Sequence, residues 1–120
     1  MTIREAIALA DAQSPNAVER ALKIRWLSEL DGRVDREILS PDQSSGFTGY
    51  GDGTSEDTVL KVAYPYDSIY PTWLMMHIAR MNGEMQKYND GAELCNELLT
   101  GFRGFLARTT RTPARRVRYF

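Results

Sequence analysis

The chain has 120 residues, 42% of them apolar and 26% charged, with a formal net charge of −1. That size suits one domain with a core of its own, and a lone cysteine, Cys95, excludes an intrachain disulfide. The near-neutral balance conceals a division: residues 1–100 carry nine Lys/Arg against sixteen Asp/Glu, a formal charge of −7, whereas residues 101–120 carry six arginines and no acid.

The opening MTIREAIALA contains acids and no apolar run long enough for a signal peptide, and the most apolar stretch, Trp73 to Ala79, is far too short to span a bilayer. These features predict a soluble protein of a reducing, intracellular compartment. Thr2 and Glu5 have the spacing of a capping box, and Ile3, Ala6, Ile7 and Ala10 recur at helical intervals, predicting a first helix to about Gln13. Ser14 and Pro15 read as the cap and first turn of a second helix. Its apolar stripe (Ala21, Ile24, Leu27, Leu30, Val34, Ile38) predicts continuation to about Leu39, where Pro41 stops it.

Residues 42–57 contain four glycines and four acids among serines and threonines, with Phe47 and Tyr50 as the large apolar anchors. This composition predicts a long mobile loop, a kind of segment that is commonly functional or ordered by a partner. Residues 58–64 alternate and are β-branched enough to predict a short strand carrying Val59 and Val62. A lone strand must pair with something, so Phe47, Tyr50, Val59 and Val62 are candidate intersubunit contacts. A third helix is expected over 67–88, with Trp73, Leu74, Ile78, Met81 and Met85 on its apolar face. Asp90 and Glu93 repeat the capping spacing, so a fourth helix is expected from near Gly91 to Thr110. Pro113 then separates residues 114–120, which alternate as an extended segment. The expected architecture is mainly α: a four-helix bundle-like domain over 1–113 and an extended basic arm over 114–120.

Chemistry is harder to find. His77 is the one histidine and has no second ligand at metal spacing, so it reads as an ordinary helix-face residue. Cys95 falls on an apolar stripe and reads as a small core residue. Gly49, Gly51 and Gly53 lack the flanking strand, helix and Lys-Ser/Thr of a phosphate loop, and Asp52, Thr54, Glu56 and Asp57 miss the spacing of a calcium loop. No enzyme, metal or cofactor is indicated. The basic terminus carries the functional signal: Arg108, Arg111, Arg115, Arg116 and Arg118, with Tyr119 and Phe120 as aromatic anchors, suit either an acidic protein surface or nucleic-acid phosphates.

Several stretches in order complete the picture: Lys23 to Val34; Pro65-Tyr66-Asp67 with Tyr70 and Trp73-Leu74; Asn82-Gly83-Glu84 with Tyr88-Asn89; and Arg111-Thr112-Pro113. Their sequence and spacing resemble head–tail connector (adaptor) proteins of tailed phages and prophages of Gram-positive bacteria. The resemblance implies a non-catalytic helical subunit, located in the virion after assembly in the host cytoplasm. Such subunits form a homo-oligomeric ring, commonly twelvefold, that joins the portal protein to a tail or stopper protein. DNA passes through the ring without specific binding, and no membrane is involved. A DNA-binding packaging or regulatory protein that places its arginines on phosphates is the competing expectation.

Overall fold

In a computed structural model of the chain, residues 1–110 are described, and they are mainly helical with no sheet. Four α-helices follow in order: α1 (Ile3–Gln13), α2 (Arg20–Val34), α3 (Ile69–Met81) and α4 (Met85–Thr110). A five-residue π-helical turn, Asp35–Leu39, extends α2, and a 3₁₀ turn, Tyr66–Ser68, leads into α3.

The start of α1 follows the sequence closely. Thr2 Oγ1 accepts from Glu5 N (3.2 Å) and Glu5 Oε1 accepts from Thr2 N (2.9 Å), so two backbone donors are satisfied reciprocally. Ser14 and Pro15, however, do not start α2. The Asn16 side chain donates to Asp11 Oδ1 (3.0 Å) and to Ser14 O (2.8 Å), and its oxygen accepts from Val18 N (3.0 Å). Those local bonds compete with helix geometry and hold 14–19 as a linker, so α2 begins at Arg20.

The break between α3 and α4 also falls earlier than the apolar pattern implies. Gly83 adopts φ +74°, Gly83 N donates to Arg80 O (3.2 Å) and Glu84 N donates to Ala79 O (2.9 Å). This left-handed cap closes α3, so residues 85–88 belong to α4. Asp90 is consequently not a cap; inside α4 it accepts from Gln86 Nε2 (2.9 Å). Pro71 is tolerated because the first turn of α3 has no intrahelical use for its missing N–H.

The expected strand over 58–64 is absent. Thr2 and Val59 form one isolated antiparallel bridge, flanked by Ile3 N to Thr58 O (3.1 Å) and Leu60 N to Met1 O (2.8 Å). The next two donors turn to side chains: Lys61 N reaches Asp31 Oδ2 (3.1 Å) and Val62 N reaches the Tyr70 hydroxyl (2.7 Å). The segment's donors are spent on helix ends and buried side chains, so no ladder propagates.

α3 is central, packing against α1 and α2 and also against α4. Ile3, Ile7, Leu27, Leu30, Val62, Ile69, Tyr70, Leu74 and Phe102 are all at most 2% exposed. At Gly91 α4 approaches α3 so closely that a Cβ would lie 3.0 Å from Met76 Cβ. A 26-residue α4 is about 39 Å long, and the molecule measures 58 × 34 × 20 Å.

Candidate partner-binding surface

The irregular segment 40–65 is tied to the helices at several points. Arg20 holds Glu56 with its Nε (2.9 and 2.8 Å to the two carboxylate oxygens) and its Nη2 (2.5 Å), and Arg4 pairs with Asp57. Those acids are therefore committed to guanidinium groups, not arranged around a cation. Ser45 Oγ donates to the Asp35 carboxylate (2.8 Å). Gly49 has φ +105°, and a Cβ there would lie 2.5 Å from Ser28 Oγ, the same oxygen that accepts from Tyr50 N (2.9 Å). The glycine thus serves a close backbone approach to α2.

The strongest anchor is Asp31, fully buried on α2. Its carboxylate accepts from the Tyr50 hydroxyl (2.5 Å), the Tyr70 hydroxyl (2.5 Å) and Lys61 N (3.1 Å). Burial raises the Asp31 pKa above the usual aspartate value, opposed by the hydrogen bonds from Tyr50 and Tyr70. Both phenols are raised, Tyr50 by burial and its bond to Asp31, Tyr70 by burial and the Asp31 charge. Beside this cluster Lys61 Nζ lies 3.6 Å from Asp35 and 4.3 Å from the centroid of the Phe47 ring, which meets Tyr50 edge-on at 5.2 Å. Two open grooves flank the contact along α2, of about 460 Å³ (Ala21, Ile24, Arg25, Asp52) and about 770 Å³ (Arg33, Arg36, Phe47, Thr48).

The residues singled out from the sequence are dispersed. Phe47 and Tyr50 are half-buried and bonded within the chain; Val62 is 1% exposed in the core, leaving Val59, 68% exposed, as the valine with surface to offer. Arg108 is exposed in the last turn of α4. Arg111, Arg115, Arg116, Arg118, Tyr119 and Phe120 lie outside the described residues.

The histidine and the cysteine both lie against apolar side chains. His77 is sandwiched against Trp26 (4.9 Å, stacked) and Trp73 (4.7 Å, edge-on), and Trp73 Nε1 donates to Trp26 O (2.8 Å). Burial, with the nearby Arg80 charge, lowers its pKa to about 4, so the ring is neutral at pH 7. Cys95 is buried, which pushes its thiol up to about 12. Among the described residues no group of three or more His, Cys, Asp or Glu is placed to hold a metal ion, and no helix is long and apolar enough to cross a membrane.

Sequence reasoning missed Asp31, although the signal was present. It stands four residues after Leu27 and three before Val34, on the buried stripe of α2, where a carboxylate requires several donors. The outer side of α4 was missed too, because its apolar stripe was read only as core. There Leu94 (44% exposed) and Phe105 (38%) remain uncovered on one flank, and Met85 (54%) on the other. Buried polar groups thus hold the irregular segment, while apolar side chains remain outward on α4. No family model, curated protein or solved structure matches the chain.

Proposed function

We propose that the protein is a structural assembly subunit, a head–tail connector that forms a ring beneath a phage portal and uses its basic terminus to dock on a protein neighbour. The observation that carries this reading is the division of charge: an acidic helical body at −7 and an arginine-rich end reached through α4. An acidic wall does not retain the phosphate backbone of passing DNA, while a terminal Arg-rich, aromatic segment suits an acidic protein surface. The resemblance of the ordered stretches from Lys23 to Pro113 supports the same reading, as do the uncovered apolar side chains of α4, which suit subunit packing in a four-helix, bundle-like ring element.

The test is co-sedimentation with portal particles of the full chain and of a chain lacking residues 114–120. Full-length protein should pellet with the portal, and the truncated chain should remain in the supernatant with its helical circular dichroism unchanged. Attachment unaffected by the deletion would sink the docking role. A gel shift over a salt series separates the DNA-binding alternative: phosphate neutralisation by all six arginines gives a log–log slope of about −5, whereas the connector gives no shift at moderate salt.

A further inference from the structure

Of the sixteen acids in this chain, nine are held by cations or in the core, and Glu5, Glu19, Asp42 and Asp52, from separate parts of the chain, form no ion pair among the described residues. Asp11, Glu29, Asp35, Glu37, Glu56, Asp57, Asp67 and Glu84 each meet a cation within 4.0 Å, and Asp31 is buried among hydroxyls. On α4 the pattern is different. Asp90, Glu93 and Glu97 recur at spacings of three and four on one side of the helix, and none of them forms an ion pair among the described residues. Leu94 and Phe105 lie on the adjoining flank, still 44% and 38% exposed, with Tyr66 against the Phe105 ring at 5.9 Å. Cys95 and Phe102 face the opposite way, into the core. The result is an acidic strip beside an apolar strip, about 22 Å long from Asp90 to Phe105.

We infer that this outer face of α4 receives residues 111–120 of a second copy of the chain. The complementarity is specific in kind: the ten-residue segment RTPARRVRYF has four arginines, no acid, and Val117, Tyr119 and Phe120 as apolar groups. Its arginines match the strip of Asp90, Glu93 and Glu97, and its apolar groups match Leu94 and Phe105. Ten residues span at most about 33–36 Å, enough to cover the face. The segment follows Thr110, thirteen positions beyond Glu97 along α4, so it would have to double back along its own helix to meet its own acids, whereas a neighbour's face asks no reversal. Such a contact joins two different surfaces, the arrangement that builds rings when the rotation between copies closes. The inference rests on the ring reading in taking the partner to be another copy.

The experiment uses full-length chains in sedimentation velocity over a wide concentration range, with circular dichroism to verify folding. One variant reverses the face (Glu93→Arg with Glu97→Arg); the other reverses the segment (Arg115→Glu with Arg116→Glu). Wild-type chains should self-associate, each variant alone should associate at least about tenfold more weakly, and an equimolar mixture of the two should recover association. Glu93→Gln with Glu97→Gln provides a milder surface change should the reversed face fail to fold, and it should weaken association in the same direction. Wild-type chains that stay monomeric throughout, variants that associate as wild type does, or a mixture that recovers nothing would each overturn the inference. Portal co-sedimentation is read separately, so a chain that self-associates through this face yet ignores portal particles would retire the connector reading and leave the contact standing.

Discussion

The Asp31 cluster and the α3–α4 hairpin hold the same molecule together by opposite means. Around Asp31, irregular backbone is fixed by directional bonds: two phenols and one backbone N–H converge on a single buried carboxylate. In the hairpin, both partners satisfy their own backbone groups, so what joins them is apolar contact through Phe102, Cys95 and the close approach at Gly91. The difference shows where polar groups are worth burying. A segment without regular structure must find partners for its donors, and a charged acceptor in the core supplies three at once.

Removing the carboxylate is the strongest way to break that contrast. Asp31→Ala leaves the Tyr50 and Tyr70 hydroxyls and Lys61 N short of an acceptor, and should cost about 3–5 kcal/mol in urea unfolding. Limited proteolysis should then cut first within 43–57. A variant as stable as wild type, with that segment still protected, would remove the distinction.

On the apolar side, Phe102→Ala opens a cavity beside Tyr66, whose ring lies 5.9 Å away, and should cost about 3 kcal/mol. Here hydrogen exchange should accelerate along α4 while the amides of Lys61 and Val62 keep their protection. Uniform acceleration across both regions would mean that the two unfold as one unit.

The smallest effect is set by pH. His77 has a folded pKa of about 4 against an ordinary 6.5, so the folded state binds this proton less readily than the unfolded chain. Its contribution is fully present above pH 6.5 and is lost as pH falls toward 4. Discounted for the partial exposure of the ring, the loss should be about 1–2 kcal/mol. The difference in stability between wild type and His77→Gln should therefore vary across that window and stay flat from pH 7 to 8.

Helix content was readable because periodicity and capping are local. Thr2 and Glu5 reported the start of α1, and Pro41 the end of the α2 region. Boundaries failed where a single side chain or backbone angle decided the outcome: Asn16 delaying α2, Gly83 dividing α3 from α4. The strand expected over 58–64 failed for a nonlocal reason, since its donors were claimed by Asp31, Tyr70 and the residues before α1, all distant in sequence. The basic terminus was visible as charge alone, and which acids of the body are paired is set by nonlocal contacts, such as Arg20 with Glu56, that no local pattern reports.

The packing of α4 at Gly91 is not a pivot, because the same helix stays seated through Cys95, Gly101 and Phe102 as far as Leu106. About 22 Å of α4, from Gly91 to Leu106, therefore moves with α3 as one strut, and only the last turn, from Leu106 to Thr110, about 6 Å, lies past the final core contact. A load applied at Thr110 would be met by the whole hairpin rather than by a single hinge, so a pull on the chain beyond the helix would have to unseat Phe102 before it could bend α4.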